Sequence, residues 1–415
     1  MLKSFLTAYR HRVLFVLTIL LTCAEAFLFA ALCHAQIPVG AWYKGDLHTH
    51  SSYSDGDSSI STVIKSAEDK GFDFFVVTDH DTSLRGNPAH WDDPGYHSQK
   101  LILLYGIEWT TPLGHANVWS AAPFSYADLW QANRAHDAGA AAAAAHQQGA
   151  LFSINHPASL FTSSWQYPFA PETDSIEVWN TMYRFPSGNR RAAHWYWDDL
   201  LKSGRCIPCV GGSDTHQLAG CLSRLYGHGN PTTWIYAPER TGDALIAGIR
   251  AGHVSVSYAP DAPRLEFSAD IDGDGTDDVM MGDNIVDTDR EVSFIVRSGR
   301  NGQNNTATSF ELGAALIAMV ARGQLSMEDI LADAAFVQDS NQQGLQGVCV
   351  FKNGDLFRAW IVLGGEQSFT FSDRPGAGDW YRVELIGKPD ATLVQHLLYG
   401  RVLALTNPIY CGYQE

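Results

Sequence analysis

The stretch Gly45-Asp46-Leu47-His48-Thr49-His50-Ser51-Ser52-Tyr53-Ser54-Asp55-Gly56 decides how the rest of the chain is interpreted. If it begins as a β-strand, His48 and His50 project from the same face, because side chains alternate along a strand. Asp55, on the turn that follows, can fold back toward them. Two imidazoles and a carboxylate suit zinc, manganese or iron rather than calcium, which prefers oxygen ligands. The stretch therefore predicts a transition-metal site, with ordinary strand histidines as the alternative.

Residues 58–251 alternate between helical patterns and apolar strand-like runs. Apolar residues at 60, 63, 64 and 67 have helical spacing, residues 72–78 are typical of a buried strand, and the alanine-rich segment 128–148 predicts one helix. Repeated strand-then-helix units imply a parallel sheet. Six of the strand-like runs end in His, Asp or Glu, which is how a (β/α) barrel gathers its active site. The sequence therefore predicts an α/β fold with a barrel of about seven strands.

Six short motifs give this pattern a family resemblance. They are GDLHTHSSYSDG (45–56), VVTDHDT (76–82), GIEWT (106–110), GHANV (114–118), INHP (154–157) and GGSDTH (211–216). In these motifs the sequence resembles the PHP (polymerase and histidinol phosphatase) metal-dependent hydrolases, and within them the carbaryl hydrolase-like subgroup. The resemblance covers residues 43–260. It implies a distorted (β/α)7 barrel that holds two or three divalent metals, which are zinc, manganese or iron.

The resemblance also implies a set of metal ligands and a reaction. The ligands are His48, His50, Glu108 and Asp214 for a first site, Asp55, His80 and His216 for a second, and His115 and His156 for a third, with Glu108 bridging. Metal-bound hydroxide would then attack a small-molecule ester, and a phosphoesterase is the leading expectation. A carbamate, carboxylic ester or amide hydrolase is the first alternative. A non-catalytic, metal-stabilised binding module is the second.

Three further residues are candidates for catalytic roles. Asp79 and Asp81 flank His80, where either carboxylate could orient an imidazole or move a proton. Ordinary hydrogen bonding at a strand end explains them equally well. Arg184, in a loop directly after a strand, could hold a phosphate or carboxylate through a bidentate pair.

Charge and the N-terminal sequence bear on partners and location. The formal net charge of -17 argues against a nucleic-acid-binding surface, since no local basic stripe offsets it. Lys3, Arg10 and Arg12 precede an apolar run at 13–23, and small residues follow. We therefore expect residues 1–35 to be a signal peptide, and the mature protein to be periplasmic or extracellular without stable membrane insertion. An uncleaved membrane anchor is the alternative.

Residues 263–415 have a different pattern of apolar and polar residues from residues 36–262, which we expect to form the barrel. Short alternating runs predict a smaller β-sandwich-like domain, and the segment around 310–336 predicts a helical insertion. A turn in this domain carries acidic residues at alternate positions, as a calcium loop does, with a solvated acidic turn as the alternative. The candidate calcium ligands are Asp270, Asp272, Asp274 and Asp278.

Overall fold

The computed structural model describes residues 37–413 except 159–163, 181–187, 220–226, 300–307, 328–329, 331–344, 364–366 and 388–401. The described helices are Ile60–Asp69 (α1), Asp81–Leu84 (α2), Ala127–Ala135 (α3), Ala138–His146 (α4), Gly188–Lys202 (α5), Gly242–Ala251 (α6) and Ala314–Ala321 (α7), with a 3₁₀ turn at Ala89–Asp92. None of the described helices is long and apolar enough to cross a membrane. The expected signal peptide lies outside the described residues.

Seven strands of the first half of the chain lie side by side in chain order. They are Ala41–Asp46 (β1), Phe74–Val77 (β2), Ile102–Thr111 (β3), Gly114–Ser120 (β4), Leu151–Ile154 (β5), Ser175–Asn180 (β6) and Cys209–Gly212 (β7). All neighbouring pairs are parallel except those that involve β4, which is antiparallel to both β3 and β5. This domain is therefore mixed α/β, in agreement with the predicted fold class.

The first and last of these strands meet through the segments that follow them. His50 N donates to the carbonyl of Thr215 over 3.0 Å, and Asp214 N donates to the carbonyl of His48 over 2.8 Å. Asp46 reinforces the junction, because its buried carboxylate accepts from the backbone N–H groups of Ser213 (3.0 Å) and Gly229 (2.7 Å). These contacts close the seven strands into a distorted ring at one end.

The alanine-rich segment forms two helices, not the one that its composition predicts. Helix α3 ends at Ala135, where His136 takes a left-handed backbone with φ 53°. Asp137 then caps α4, since its side chain accepts from Ala140 N over 2.9 Å. A good N-cap residue inside a helix-forming run thus outweighs alanine's preference for an unbroken helix.

The second half of the chain is mostly β-structure, as expected for a second domain. Its strands are Thr232–Ala237 (β8), Val254–Ser257 (β9), Arg264–Asp270 (β10), Val279–Met280 (β11), Asn284–Ile285 (β12), Val292–Gly299 (β13), Thr308–Glu311 (β14), Leu345–Lys352 (β15), Asp355–Leu363 (β16), Gln367–Asp373 (β17), Trp380–Gly387 (β18), Val402–Thr406 (β19) and Ile409–Cys411 (β20). One sheet has the order β11-β10-β13-β17. Its inner face packs on β15, β16, β18 and β19 around a core that includes Phe294, Phe371 and Tyr381.

The two halves share one continuous sheet. Strand β8 pairs with β1, β9 pairs with β8, and β19 pairs with β9, so the ladder passes from the ring into the second domain. Asn407 adds a side-chain link, because its Oδ1 accepts from Cys209 N (2.6 Å) and its Nδ2 donates to Cys209 O (3.0 Å). The expected boundary near residue 262 lies between β9 and β10. Of the expected helical insertion, the described part includes α7.

Candidate metal centre

The residues expected to bind metal come from one end of the seven-stranded ring. His48 and His50 follow β1, His80 follows β2, His156 follows β5, and Asp214 and His216 follow β7, while Glu108 and His115 lie within β3 and β4. A parallel sheet places the carboxyl ends of its strands at one edge, so residues far apart in the chain converge there.

His115 reaches this end by a reversal of the chain. The sequence pattern predicts that a strand ends at Glu108, but β3 continues to Thr111 and turns directly into β4, which pairs Thr110 with His115 and Glu108 with Asn117. Because β4 runs antiparallel, its first residues lie beside the last residues of β3. His115 Nδ1 is consequently 3.2 Å from Glu108 Oε1.

Glu108 is the centre of the cluster. Its carboxylate is 1% exposed, and nitrogens of five imidazoles lie within 3.5 Å of it. The five are His48 (3.3 Å), His50 (3.5 Å), His80 (2.7 Å), His115 (3.2 Å) and His156 (3.3 Å). Asn155 Nδ2 also donates to Glu108 Oε1 over 2.9 Å. Glu108, which was expected to bridge metals, is therefore surrounded by other candidate ligand atoms.

Asp55 and Asp214 extend the cluster in two directions. Asp214 Oδ1 lies 3.1 Å from His50 Nε2 and 3.3 Å from His48 Nε2. Asp55 is half-exposed, and its oxygens lie 3.3 Å from His216 Nε2 and 3.6 Å from His80 Nε2. The side near Asp55 is the open side of the cluster, since the side chains of His48 and His50 are fully buried.

Three groups of ligand atoms each lie within 4.8 Å of one another. They are His50, Asp55, His80 and His216; then His48, His50 and Glu108; and then His80, Glu108 and His115. The structure thus brings all nine expected ligands into one region, although His50, His80 and Glu108 each belong to two groups. This arrangement provides candidate sites for two or three metals.

The charges of the cluster fit bound cations. Burial alone would raise the pKa of Glu108 and lower that of His48. The imidazoles nevertheless hold the pKa of Glu108 well below its ordinary value, and Asp214, Glu177 and Glu108 raise that of His48 well above its own. Among the described residues, the ion-pair partners of Glu108 and Asp214 are all histidines. Positive charge must therefore come from protons or from metal.

Two buried atoms point to the same conclusion. His48 Nε2 and Glu108 Oε2 form no hydrogen bond of normal geometry with any residue that the structure describes. Both atoms have charged neighbours at 2.7–3.3 Å. A buried polar atom that lacks a hydrogen bond of normal geometry is costly, and a metal held by these side chains would remove that cost. Burial and the neighbouring His216 and His80 also lower the pKa of His50 to about 4, which keeps it in the neutral form that binds metal. The donor set therefore fits transition metals.

Glu177 is a functional candidate that the sequence interpretation missed. It lies in β6, is 2% exposed, and its Oε1 is 2.9 Å from His48 Nδ1. Its Oε2 accepts from His156 N (3.0 Å) and Asn180 Nδ2 (2.8 Å). A carboxylate on one imidazole nitrogen directs the other nitrogen toward a metal. In the sequence, the only sign of this role is that Glu177 is a single charged residue within the otherwise apolar run that precedes Asn180.

Two residues of the cluster have a strained backbone. His156 has φ 28° and Asp214 has φ 53°, both in the left-handed region that residues with a Cβ rarely adopt. Such strain persists where surrounding contacts fix it, and it is common at functional sites. Gly212 is required nearby, because a Cβ there would stand 2.3 Å from Glu177 Oε1 and 2.5 Å from His48 Cβ.

Asp79 and Asp81 accept hydrogen bonds from residues other than His80. Asp79 accepts from Ser51 N (2.8 Å), Ser51 Oγ (2.6 Å) and Ser54 Oγ (2.5 Å), which fixes the turn that leads to Asp55. Three donors surround the Asp81 carboxylate, namely Thr110 N, Tyr126 OH and Asn133 Nδ2. These contacts support bracing roles for both residues. Arg184 lies outside the described residues.

A family comparison agrees with this geometry. Residues 46–137 match the PHP domain. The matched segment runs from the last residue of β1 to Asp137, the N-cap of α4. It contains six of the nine clustered residues: His48, His50, Asp55, His80, Glu108 and His115. The remaining three lie beyond it. No curated protein matches the chain significantly.

Solved structures with related domains resemble the chain weakly. A two-domain Bacteroides vulgatus protein containing a predicted PHP-like metal-dependent phosphoesterase is 15% identical over 91% of this chain and 98% of its own, with a TM-score of 0.38. A Bifidobacterium adolescentis protein predicted to be a metal-dependent phosphoesterase is 16% identical over 41% of this chain and 87% of its own, with a TM-score of 0.28. An amidohydrolase from Chromobacterium violaceum, with sulfate and no metal, is 15% identical over 41% and 87%, with a TM-score of 0.26. TM-scores this low support no conclusion about function.

Proposed function

We propose that this chain is a metal-dependent hydrolase that cleaves phosphate esters. The observation that carries the proposal is the convergence of five imidazoles on the buried carboxylate of Glu108, with Asp55 and Asp214 at either side. The match of residues 46–137 to the PHP domain supports it independently.

Some residues of the centre would bind the metals, and others would orient those ligands. Glu108 belongs to two of the three groups and would be a ligand that they share. Glu177 orients His48, and Asn155 fixes the Glu108 carboxylate through the 2.9 Å hydrogen bond. Divalent cations held there would supply Lewis-acid chemistry, which acidifies water and stabilises negative charge on a phosphoryl group.

The substrate would approach from the side of Asp55. The side chains of His80 and His216 are 16% and 32% exposed and that of Asp55 is 53% exposed, whereas those of His48, His50 and Glu108 are at most 1% exposed. A cation held by His50, Asp55, His80 and His216 would thus face solvent and leave room for a small ester.

The direct test is turnover by protein of known metal content. The full chain is stripped with a chelator, reloaded separately with Mn²⁺, Zn²⁺ and Fe²⁺, and assayed with p-nitrophenyl phosphate and with an aryl carbamate. Phosphatase activity that tracks two or three bound metals supports the proposal. Turnover of the carbamate alone would replace it with the carbamate or carboxylic ester hydrolase, and bound metal without any turnover would favour the binding module.

We also propose that the protein is exported. The basic residues before the apolar run at 13–23, and the small residues near 35, support this location. Expression of the full chain in a bacterial host, followed by N-terminal sequencing of the periplasmic fraction, tests it. Cleavage near residue 35 is expected, and retention of an intact N-terminus in the membrane fraction would favour the anchor instead.

A further inference from the structure

The hairpin loop between β10 and β11 holds a second group of acidic side chains, far from the histidines in sequence. Asp270 ends β10, and Asp278 precedes β11, where its N–H donates to the carbonyl of Ala269 over 2.9 Å. One oxygen each from Asp270, Asp272 and Asp278 lies within 4.8 Å of the others. The fourth expected residue, Asp274, is outside this group, and its Oδ1 accepts from Thr276 N and Oγ1.

Asp278 carries the evidence for a ligand. The residue is 4% exposed, and its Oδ2 accepts from Ile271 N over 2.8 Å. Its other oxygen, Oδ1, is buried and has no hydrogen-bond partner in the part of the chain that the structure describes. A buried carboxylate oxygen without a donor is expensive, so a cation is the natural partner for it.

Neighbouring charges strengthen this requirement. The carboxylates of Asp270, Asp272 and Asp274 lie near Asp278 and repel its negative charge. No described lysine or arginine forms an ion pair with Asp270 or Asp278. Adjacent Asp277 shows the contrast, because its oxygens accept from Arg297 Nη1 (2.6 Å) and Nη2 (3.1 Å). Asp277 is thus neutralised by an arginine, whereas Asp270 and Asp278 have no such cation among the described residues.

We propose that Asp270, Asp272 and Asp278 bind one Ca²⁺ that clamps the β10–β11 hairpin. All the ligand atoms are oxygens, which suits calcium and distinguishes this site from the imidazole-rich centre of the ring. Gly273 and Gly275, with φ 81° and 89°, let the loop turn tightly around the carboxylates. The role of the ion is structural, since its ligands lie at both ends of the turn that joins β10 to β11.

The test is calcium titration of the full chain by calorimetry, after metals are removed with a chelator. Wild-type protein is expected to bind one Ca²⁺ at this loop with a dissociation constant between about 10⁻⁶ and 10⁻³ M, and its melting temperature should rise. Asp278→Asn should weaken this binding about tenfold or more. Asp272→Asn should do the same, and it provides a second variant at an exposed position, where substitutions usually change stability little.

Two controls separate this proposal from the hydrolase proposal. Asp277→Asn removes the same charge from the adjacent residue and should leave calcium affinity unchanged, since Asp277 faces Arg297. His80→Ala disrupts the imidazole cluster and should also retain the calcium. Absence of calcium binding up to about 10 mM, or equal affinity in wild type and Asp278→Asn, would overturn the calcium site. So would loss of calcium in His80→Ala, which would assign the ion to the ring.

Discussion

Glu108 and Glu384 are both buried glutamates, but they obtain their positive partners in different ways. Glu384, in β18, accepts a hydrogen bond from Arg382 Nη1, and Arg382 Nε also donates to Asp198 in α5 over 3.2 Å. Glu108 is surrounded by imidazoles. An arginine keeps its charge at every physiological pH, whereas a histidine can exchange its proton for a metal. The first arrangement suits a permanent structural link and the second suits a replaceable cation.

The pKa shifts agree with this contrast. Burial would raise the pKa of Glu384, but Arg382 and His194 hold it well below its ordinary value. The pKa of Arg382 is raised because Asp198 and Glu384 more than offset the effect of its burial. In the ring, the groups that stabilise Glu108 titrate near neutral pH in ordinary surroundings. Substitution of Glu108 should therefore lower metal binding and activity, whereas substitution of Arg382 should lower stability. The loss of activity is expected to be the largest of these effects.

Replacing Glu108 with glutamine should cause the greatest loss. The variant keeps the shape of the side chain but removes the charge shared by five imidazoles, so kcat/KM for the ester substrate should fall on the order of 10³-fold or more. Metal analysis should show less bound metal per chain. Exposed Glu239→Gln is the matched control and should behave as wild type. Full activity of Glu108→Gln would remove the distinction drawn between the two glutamates.

Arg382→Met should affect stability and spare the metal centre. It would leave Asp198 and Glu384 buried without their cation, which typically costs about 3–5 kcal/mol in the free energy of unfolding. Urea denaturation measures this loss, and the folded fraction should keep its full metal content. Exposed Arg322→Met should change stability little. Loss of metal from folded Arg382→Met would mean that the two regions are not independent.

Glu177→Gln should have an intermediate effect on the metal centre. Its contact with His48 Nδ1 directs the ring, and removal of such a contact typically weakens metal affinity about 10- to 100-fold. Competition with a chromogenic chelator measures the affinity. A purely structural role predicts instead that denaturant stability of the metal-free protein falls while metal affinity is unchanged.

The pH dependence of stability should show the smallest effect. Because the pKa of Glu384 is depressed in the folded state, its contribution is present above its unfolded pKa of about 4.3 and is lost as the pH falls through the folded value. Metal-free wild type should therefore lose more stability than Glu384→Gln when the pH is lowered from about 6 through the acid range. Urea titrations at several pH values provide the comparison, and identical slopes would contradict it.

The sequence predicts the ring better than the contacts around it. Apolar strand-like runs end next to His48, His80 and Asp214, so the sequence predicts that these residues share a site. The carboxyl ends of parallel strands lie at one edge of a sheet, and residues that follow them come together there. The reversal at β3–β4 was not predicted, since Glu108 resembles a strand end and nothing in the local pattern shows that the strand continues to Thr111. Tertiary pairing with β4 decides that boundary.

Supporting residues were harder to find for a different physical reason. Glu177 acts through His48, so its importance depends on a contact across 129 positions that spacing cannot reveal. The catalytic roles of Asp79 and Asp81 stay predictions, because hydrogen bonds to Ser51 and Thr110 show how the carboxylates are held and do not test proton transfer. The expectations for Arg184 and for the signal peptide stay predictions, since both lie outside the described residues.

The shared strand β9 has a practical consequence for protein engineering. Its neighbours are β8 on one side and β19 on the other, through the pairs Ser257–Ala404, Val256–Leu405 and Ser255–Thr406. A shortened chain that stopped near residue 262 would lack β19 and would expose a bare row of amide and carbonyl groups along a valine-containing edge. Such edges template intermolecular pairing and precipitation. Experiments on the ring should therefore use the chain with both halves, and should test individual residues by point substitution.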